Sequence, residues 1–210
     1  MQLTVLAAAG GTGRELTRQA LERGHDVIAI ARHPEKIPLP DSPRLIRVAA
    51  DVHDQESIAA ALAGRKIVLS GLGVTGDGAR TLTTGTLAAG ARAVVAADPE
   101  RIVWLGAIGT GPSARAAGWA ARNLLRVFMR AELADKVAAD GEVLRAGGTV
   151  FHAGPLSDGP VSPGRRTVGL DAVPRRLFPA GVSRATVAAA MLDEAEDPRF
   201  AGTVAIPLPR

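Results

Sequence analysis

Gly10, Gly11, Thr12 and Gly13 stand directly after an apolar run, Leu3 to Ala8, and directly before a segment in which Leu16, Ala20 and Leu21 recur at helical spacing until Gly24 closes it. That order spells strand, tight turn, helix. Glycines in such a turn leave the backbone bare, so a pyrophosphate can approach the unpaired N–H groups at the start of the helix. A second apolar run, Val27 to Ala31, ends on Arg32, with His33 and Lys36 beyond it. An acid at that place would hydrogen-bond the ribose 2′-hydroxyl of NAD, whereas a cation favours the 2′-phosphate of NADP. The pair of features predicts an NADP(H) site built on the turn and on Arg32.

Further residues follow the same logic. Asp51 and Val52 come after a third run, where a carboxylate can face the adenine amine while valine packs on the ring; capping of the next helix is the competing role of Asp51. Gly71, Leu72 and Gly73 follow a fourth run and open a Gly/Thr-rich loop to Gly78, small enough for backbone to pass close to a cofactor. His152 ends a sixth run, and histidine is the residue type suited to proton transfer near neutral pH, which makes it a candidate general acid. Arg115, Arg122, Arg126 and Arg130 recur on one helical face, with Trp119, Leu125, Phe128 and Met129 available for packing. The stripe reads as a solvated face, a rim to a substrate mouth or a subunit contact.

The elements that must position these residues alternate along the chain. Strands are expected at Leu3 to Ala8, Val27 to Ala31, Leu45 to Ala49, Ile67 to Ser70, Ile102 to Gly106, Thr149 to Ala153 and Thr203 to Ile206. Helices are expected after the glycine turn, around Ile58 to Leu62 behind Asp51 and Asp54, at Leu87 to Ala97, from Ala114 to Ala146, and at Val182 to Glu194. Strands separated by helices predict an α/β fold with a doubly wound parallel sheet of Rossmann type, because a parallel pair needs a crossover. At 210 residues, one domain is expected to take the whole chain, with a Pro-, Gly- and Arg-rich excursion at about 154–181 leaving the carboxyl edge of the sheet on the substrate side.

Composition narrows the chemistry. The chain has no cysteine, and His25, His33, His53 and His152 show no ligand spacing, so neither thiolate chemistry nor a metal site is expected. A net charge of +4, spread over the chain, and 3% aromatic residues argue against nucleic-acid binding. No run approaches the roughly 20 apolar residues of a membrane helix, and no basic signal head opens the sequence, so a soluble, cytoplasmic protein with no membrane partner is expected.

The stretch Leu3 to Lys36, with Gly-Gly-Thr-Gly-Arg-Glu-Leu and then Arg-Gly-His-Asp-Val-Ile-Ala-Ile-Ala-Arg, resembles the atypical short-chain dehydrogenase/reductases, specifically the NmrA-like and flavin reductase (biliverdin-IXβ reductase)-like group. The likeness continues through Asp51-Val52, Gly71-Leu72-Gly73, Asp135-Lys136, Glu142 to Arg145 and Gly154-Pro155-Leu156. It implies a single Rossmann domain, an NADP(H) preference, and cofactor contacts at Gly10, Gly11, Thr12, Gly13, Arg14, Glu15, Leu16, Arg32, Asp51, Val52, Gly71, Leu72, Gly73, Lys136 and Pro155. Lys136 is the candidate to bond the nicotinamide ribose.

Departures from the family pattern bear on mechanism. Leu16 stands where the third glycine is expected, Gly106-Ala107 ends the fifth strand in place of serine or threonine, and Gly154-Pro155 replaces an Arg-Pro pair. Glu132 lies four residues before Lys136, where classical members carry tyrosine, and the chain has no tyrosine at all. The resemblance therefore implies a reductase of a small or medium organic substrate, acting without a tyrosine acid, with Lys136 and His152 as candidate catalytic residues and Asp135 behind them as a substitute donor. The alternatives are a non-catalytic NADP(H)-binding sensor of the NmrA type and a non-redox biosynthetic enzyme on the same fold. A monomer or homodimer is expected.

Overall fold

The computed structural model describes residues 1–73, 85–115, 130–174 and 179–209. Its elements are β1 (Gln2–Leu6), α1 (Gly11–Glu22), β2 (Asp26–Ala31), β3 (Leu45–Ala49), α2 (Gln55–Leu62), β4 (Ile67–Ser70), α3 (Thr86–Ala96), β5 (Arg101–Ala107), α4 (Arg130–Arg145), β6 (Thr149–Ala153), β7 (Leu156–Ser157), β8 (Arg166–Gly169), β9 (Val182–Ser183), α5 (Arg184–Glu196) and β10 (Val204–Leu208). A central sheet of eight strands runs in the order β3-β2-β1-β4-β5-β6-β10-β8. Every neighbour in it is parallel except β8, which pairs antiparallel with β10. The order turns back on itself beside β1, which touches both β2 and β4. That reversal opens a crevice at the carboxyl ends of the strands, the usual ligand position in such sheets.

Side-chain alternation along each strand builds two cores. Leu3, Val5, Val27, Ala29, Leu69 and Phe151 point to the face covered by α1 and α5. Ile28, Ile30, Val68, Trp104 and Val150 point to the other, under α2, α3 and α4. Strands buried on both faces read as continuous apolar runs, which is why their positions are visible in the sequence. Helix starts are equally local in two cases: Asp54 accepts the N–H of Ser57 at 3.1 Å to cap α2, and Ser183 accepts the N–H of Thr186 at 3.1 Å to cap α5.

Three expectations change. Val182 and Ser183 are not the first helical residues; they pair with β7 as β9, and α5 starts at Arg184 and runs on to Glu196. The excursion after β6 contains a strand that the sequence pattern does not show, Arg166–Gly169, which pairs antiparallel with β10 at the sheet edge. Finally, Ala114 and Arg115 do not open the long helix but belong to a 3₁₀ turn, Gly111–Arg115. The described helix there begins at Arg130. Arg122 and Arg126 of the arginine stripe, with Trp119, Leu125, Phe128 and Met129, lie outside the described residues.

Candidate functional site

The carboxyl ends of β1, β2 and β4 lie side by side, with Leu6 opposite both Ile30 and Ser70, so the segments that leave them meet in one place. From β1 comes the glycine turn. The N–H of Arg14 donates to the carbonyl of Gly10 at 2.8 Å as the first bond of α1. The N–H groups of Gly11, Thr12 and Gly13 precede it and have no carbonyl of their own helix to meet. They are the natural donors for a phosphate.

The turn is held by backbone-to-backbone packing. A Cβ on Gly13 would lie 2.1 Å from the carbonyl oxygen of Ala7, and one on Gly71 would lie 2.8 Å from the Gly13 nitrogen. Gly71 also donates its N–H to the carbonyl of Leu6 at 3.0 Å. Gly13 is therefore the glycine that lets helix and strand approach, and the place of the third glycine falls there rather than at Leu16. Leu16 is wholly buried in the core between α1 and the sheet. The real departure is Ala7, which adopts φ +60, a left-handed backbone that glycine would take without strain. A side chain at Gly13 would strike the protein itself before it could displace a pyrophosphate.

From β2 comes Arg32. It is exposed and forms no ion pair with another described residue, whereas neighbouring His33 sits 3.4 Å from Glu35. From β3 comes Asp51, half-buried, whose Oδ1 accepts the N–H of His53 at 3.0 Å. This closes the turn ahead of α2, while the cap of α2 itself is Asp54. Val52 packs against the α2–α3 core. In the β4 segment, the side chain of Leu72 is buried, its Cδ1 lying 2.5 Å from where a Cβ on Gly90 of α3 would stand. Thr12 is buried and Arg14 is exposed. Glu15 is occupied on its own helix: burial works against its charge, but hydrogen bonds from Arg18 and Gln19 outweigh it and hold the carboxyl below its ordinary range.

The candidate proton donors are placed otherwise than the sequence suggests. His152 has no solvent-exposed surface; its Nδ1 lies 2.5 Å from Ser113 Oγ and its Nε2 3.0 Å from Asp140 Oδ2. Thr110 donates to the same Asp140 oxygen at 3.1 Å, and the N–H of Gly109 donates to Ser113 Oγ at 2.9 Å. This network ties β6 and α4 to the loop that follows β5. Gly106 is small for the same reason, since a Cβ there would stand 2.7 Å from His152 Cδ2. In this arrangement His152 ties the loop after β5 to β6 and α4. Asp135 is likewise engaged, because its two oxygens accept the N–H groups of Leu87 and Ala88 at 3.0 and 2.9 Å. Lys136 is half-buried on α4. Pro155 is exposed, and its carbonyl accepts the N–H of Val182 at 3.0 Å.

One residue at the turn escaped the sequence reading. The side chain of Arg184 lies across Gly11, where a Cβ would meet its Nε at 2.7 Å and its Cδ at 2.8 Å. A signal was available: Arg184 follows the capping Ser183 as the first residue of a helix, where a cation opposes the helix dipole and so needs another reason to be there.

A family model described as NAD(P)H-binding matches residues 7–198. Among solved structures, the chain is similar to ChuY, an anaerobillin reductase from Escherichia coli, at 18% identity over 99% of this chain and 97% of that one, with a TM-score of 0.75. The oxidoreductase ylbE from Lactococcus lactis is 17% identical over 99% and 90% of the two chains, with a TM-score of 0.78. A wide-type short-chain dehydrogenase/reductase from Veillonella parvula, in complex with NADP, is 16% identical over 98% and 93%, also at 0.78. At these identities the likeness is one of fold. An uncharacterized protein of Mycobacterium tuberculosis is 39% identical over 69 residues, 32% of this chain, and the match spans 8% of that relative's length. No helix among the described residues is long and apolar enough to cross a membrane.

Proposed function

This chain belongs to the NAD(P)H-binding family, and from that premise we propose that it is an NADP(H)-dependent oxidoreductase that reduces a small or medium organic substrate without a tyrosine acid. The observation that carries the reading is the junction of the β1 and β2 ends: open helical N–H groups at Gly11 to Gly13 beside an exposed Arg32 with no counter-ion among the described residues. The glycine turn fits a pyrophosphate, since its bare backbone faces the crevice at the sheet's reversal. A guanidinium next to it suits a 2′-phosphate, with a charge-assisted contact worth roughly 1.5–3 kcal/mol.

When bound, the nicotinamide supplies hydride chemistry. The residues of the chain hold and orient: the turn takes the pyrophosphate, Arg32 the 2′-phosphate, Asp51 the adenine edge and Lys136 the nicotinamide ribose. The loop from Gly106 to Gly111 and the segment after β6 wall the substrate. Since His152 and Asp135 are both engaged in the fold, no side chain of this set delivers the proton, and positioning carries the rate while solvent or substrate handles the proton. Lys136→Ala should then cost less than the roughly 100- to 10,000-fold of a dedicated acid or base.

The same engagement of His152 and Asp135 favours, as a second reading, a sensor that binds NADP(H) and does not turn over. Purified protein mixed with NADPH and a quinone, a flavin or an α,β-unsaturated ketone separates the two. Oxidation of NADPH supports the reductase; tight binding with no oxidation across the acceptor classes supports the sensor. Titration calorimetry tests the cofactor assignment. NADPH should bind more tightly than NADH, and Arg32→Asp should reverse the order. Equal affinities in the unaltered protein would sink it.

A further inference from the structure

We propose that Arg184 is the cation that receives the cofactor pyrophosphate, and that Asp158 holds its place until the cofactor arrives; the inference rests on the NADP(H) reading of the glycine turn. Arg184 opens α5, one residue after the Ser183 cap, and α5 packs beside α1 on the same face of the sheet. Its stem and Nε lie directly on the bare Cα of Gly11, at the mouth of the α1 N-terminus. Its side chain is only 17% exposed, yet its ion-pair partner, Asp158, is 91% exposed, with Nη1 and Oδ1 2.8 Å apart. The guanidinium is thus fixed by the fold and only loosely matched by a solvated carboxylate.

The chemistry of the turn leaves room for such a group. A helix N-terminus presents only about half a positive charge, whereas a dinucleotide pyrophosphate brings two negative ones. A guanidinium offers paired donors in the plane that phosphate oxygens accept, and it carries its full charge at any working pH. Arg32, which follows β2, is already assigned to the 2′-phosphate, so the bridge calls for a second cation. Arg184 and Arg32 therefore divide the anionic groups of the cofactor, the first taking the bridge and the second the 2′-phosphate. Asp158 lies just past β7, in the segment that follows β6. An incoming pyrophosphate competes with it for the same guanidinium, so cofactor binding releases the Asp158 carboxylate, while the β7–β9 pairing still holds the segment in place.

Titration calorimetry on the intact protein tests this with NADPH and with adenosine 2′-monophosphate, which has the 2′-phosphate and no pyrophosphate. Arg184→Gln should weaken NADPH by roughly tenfold to a hundredfold while leaving adenosine 2′-monophosphate unchanged. Arg184→Lys should recover part of the loss, and Asp158→Asn should tighten NADPH by about twofold to fivefold, the range of an exposed ion pair. NADPH binding that is unaltered in Arg184→Gln overturns the proposal, as does an equal loss of both ligands, which would mark Arg184 as structural. If Asp158→Asn weakens NADPH, the placeholder role falls. Failure of the unaltered protein to bind NADPH at all would instead remove the reading on which the inference stands.

Discussion

Ala7 is the residue on which the glycine turn departs most from its ideal. A left-handed alanine costs about 1–2 kcal/mol, and replacing it with glycine gives back roughly 0.4–1 kcal/mol in chain entropy. Relief exceeds cost, so Ala7→Gly should raise stability by about 0.5–1 kcal/mol, seen as a higher midpoint in urea with an unchanged slope. A lower midpoint would mean that the Ala7 methyl makes a packing contribution larger than its strain. Gly13 lies at the opposite extreme. Its φ is not left-handed, yet no Cβ fits, because the Ala7 carbonyl occupies the space. Gly13→Val should therefore lose its fold along with its cofactor, and a variant with native circular dichroism and lost NADPH binding would contradict that. The glycine residues of the turn are legible in sequence; which of them faces ligand and which faces protein is not.

At the scale of elements, the helices are held from outside as much as by their own sequence. Gly85 precedes α3 with φ +93 and no side-chain cap, and Asp135 of α4 supplies the missing acceptor to Leu87 and Ala88. Asp135→Ala should cost about 1–2 kcal/mol, as for a cap lost from a helix. Asp135→Asn should cost less, because one carbonyl oxygen remains. Equal and negligible losses in both variants, measured by denaturant titration, would show that α3 needs no cap. The network of Ser113, His152 and Asp140 does similar work between β6, α4 and the loop after β5. Deleting one partner of a buried hydrogen-bonded pair leaves the other unmatched, so His152→Ala should lower stability by about 1–3 kcal/mol. Its effect on kcat in the folded fraction should stay small. A stable variant with kcat down a thousandfold would restore His152 as the acid.

For the molecule as a whole, α1 and α5 close one face of the sheet, and their ends are joined by charge. Glu196 at the end of α5 meets His25 at 2.8 Å and Arg23 at 3.0 Å. Burial works against its charge, but the hydrogen bonds from His25 and Arg23 outweigh that and hold the carboxyl below its ordinary value of 4.5. A carboxyl with a lower folded than unfolded pKa binds fewer protons in the native state. Its contribution is therefore complete above 4.5 and fades as pH falls through the lower, native value. Glu15 adds in the same direction. Glu196→Gln should lower stability at neutral pH slightly and flatten its decline below about pH 4.5; the two curves should converge in acid. Since Glu196 is a third exposed, the effect is modest and salt should reduce it. Parallel curves for variant and parent down to pH 3 would refute the linkage.

The sequence by itself determined the succession of the parallel strands β1–β6 and β10, the two-sided burial of the sheet, the position of the glycine turn and the cation at Arg32. All of these are signals of near neighbours: apolar runs, helical spacing, a cap a few residues before its helix. Tertiary structure decided what depends on residues far apart in the chain. Arg166–Gly169 joins the sheet only because β10 offers it an edge, and Leu156 and Val182 become strand residues only by meeting each other. His152 is a candidate acid by residue type alone, and only the fold brings Ser113 and Asp140 onto its two nitrogens. Arg184 comes to Gly11 from 173 positions later in the sequence because α5 packs against α1. Local pattern sets which elements form; the packing of those elements sets which side chain meets the site, because that depends on contacts no short window of sequence contains.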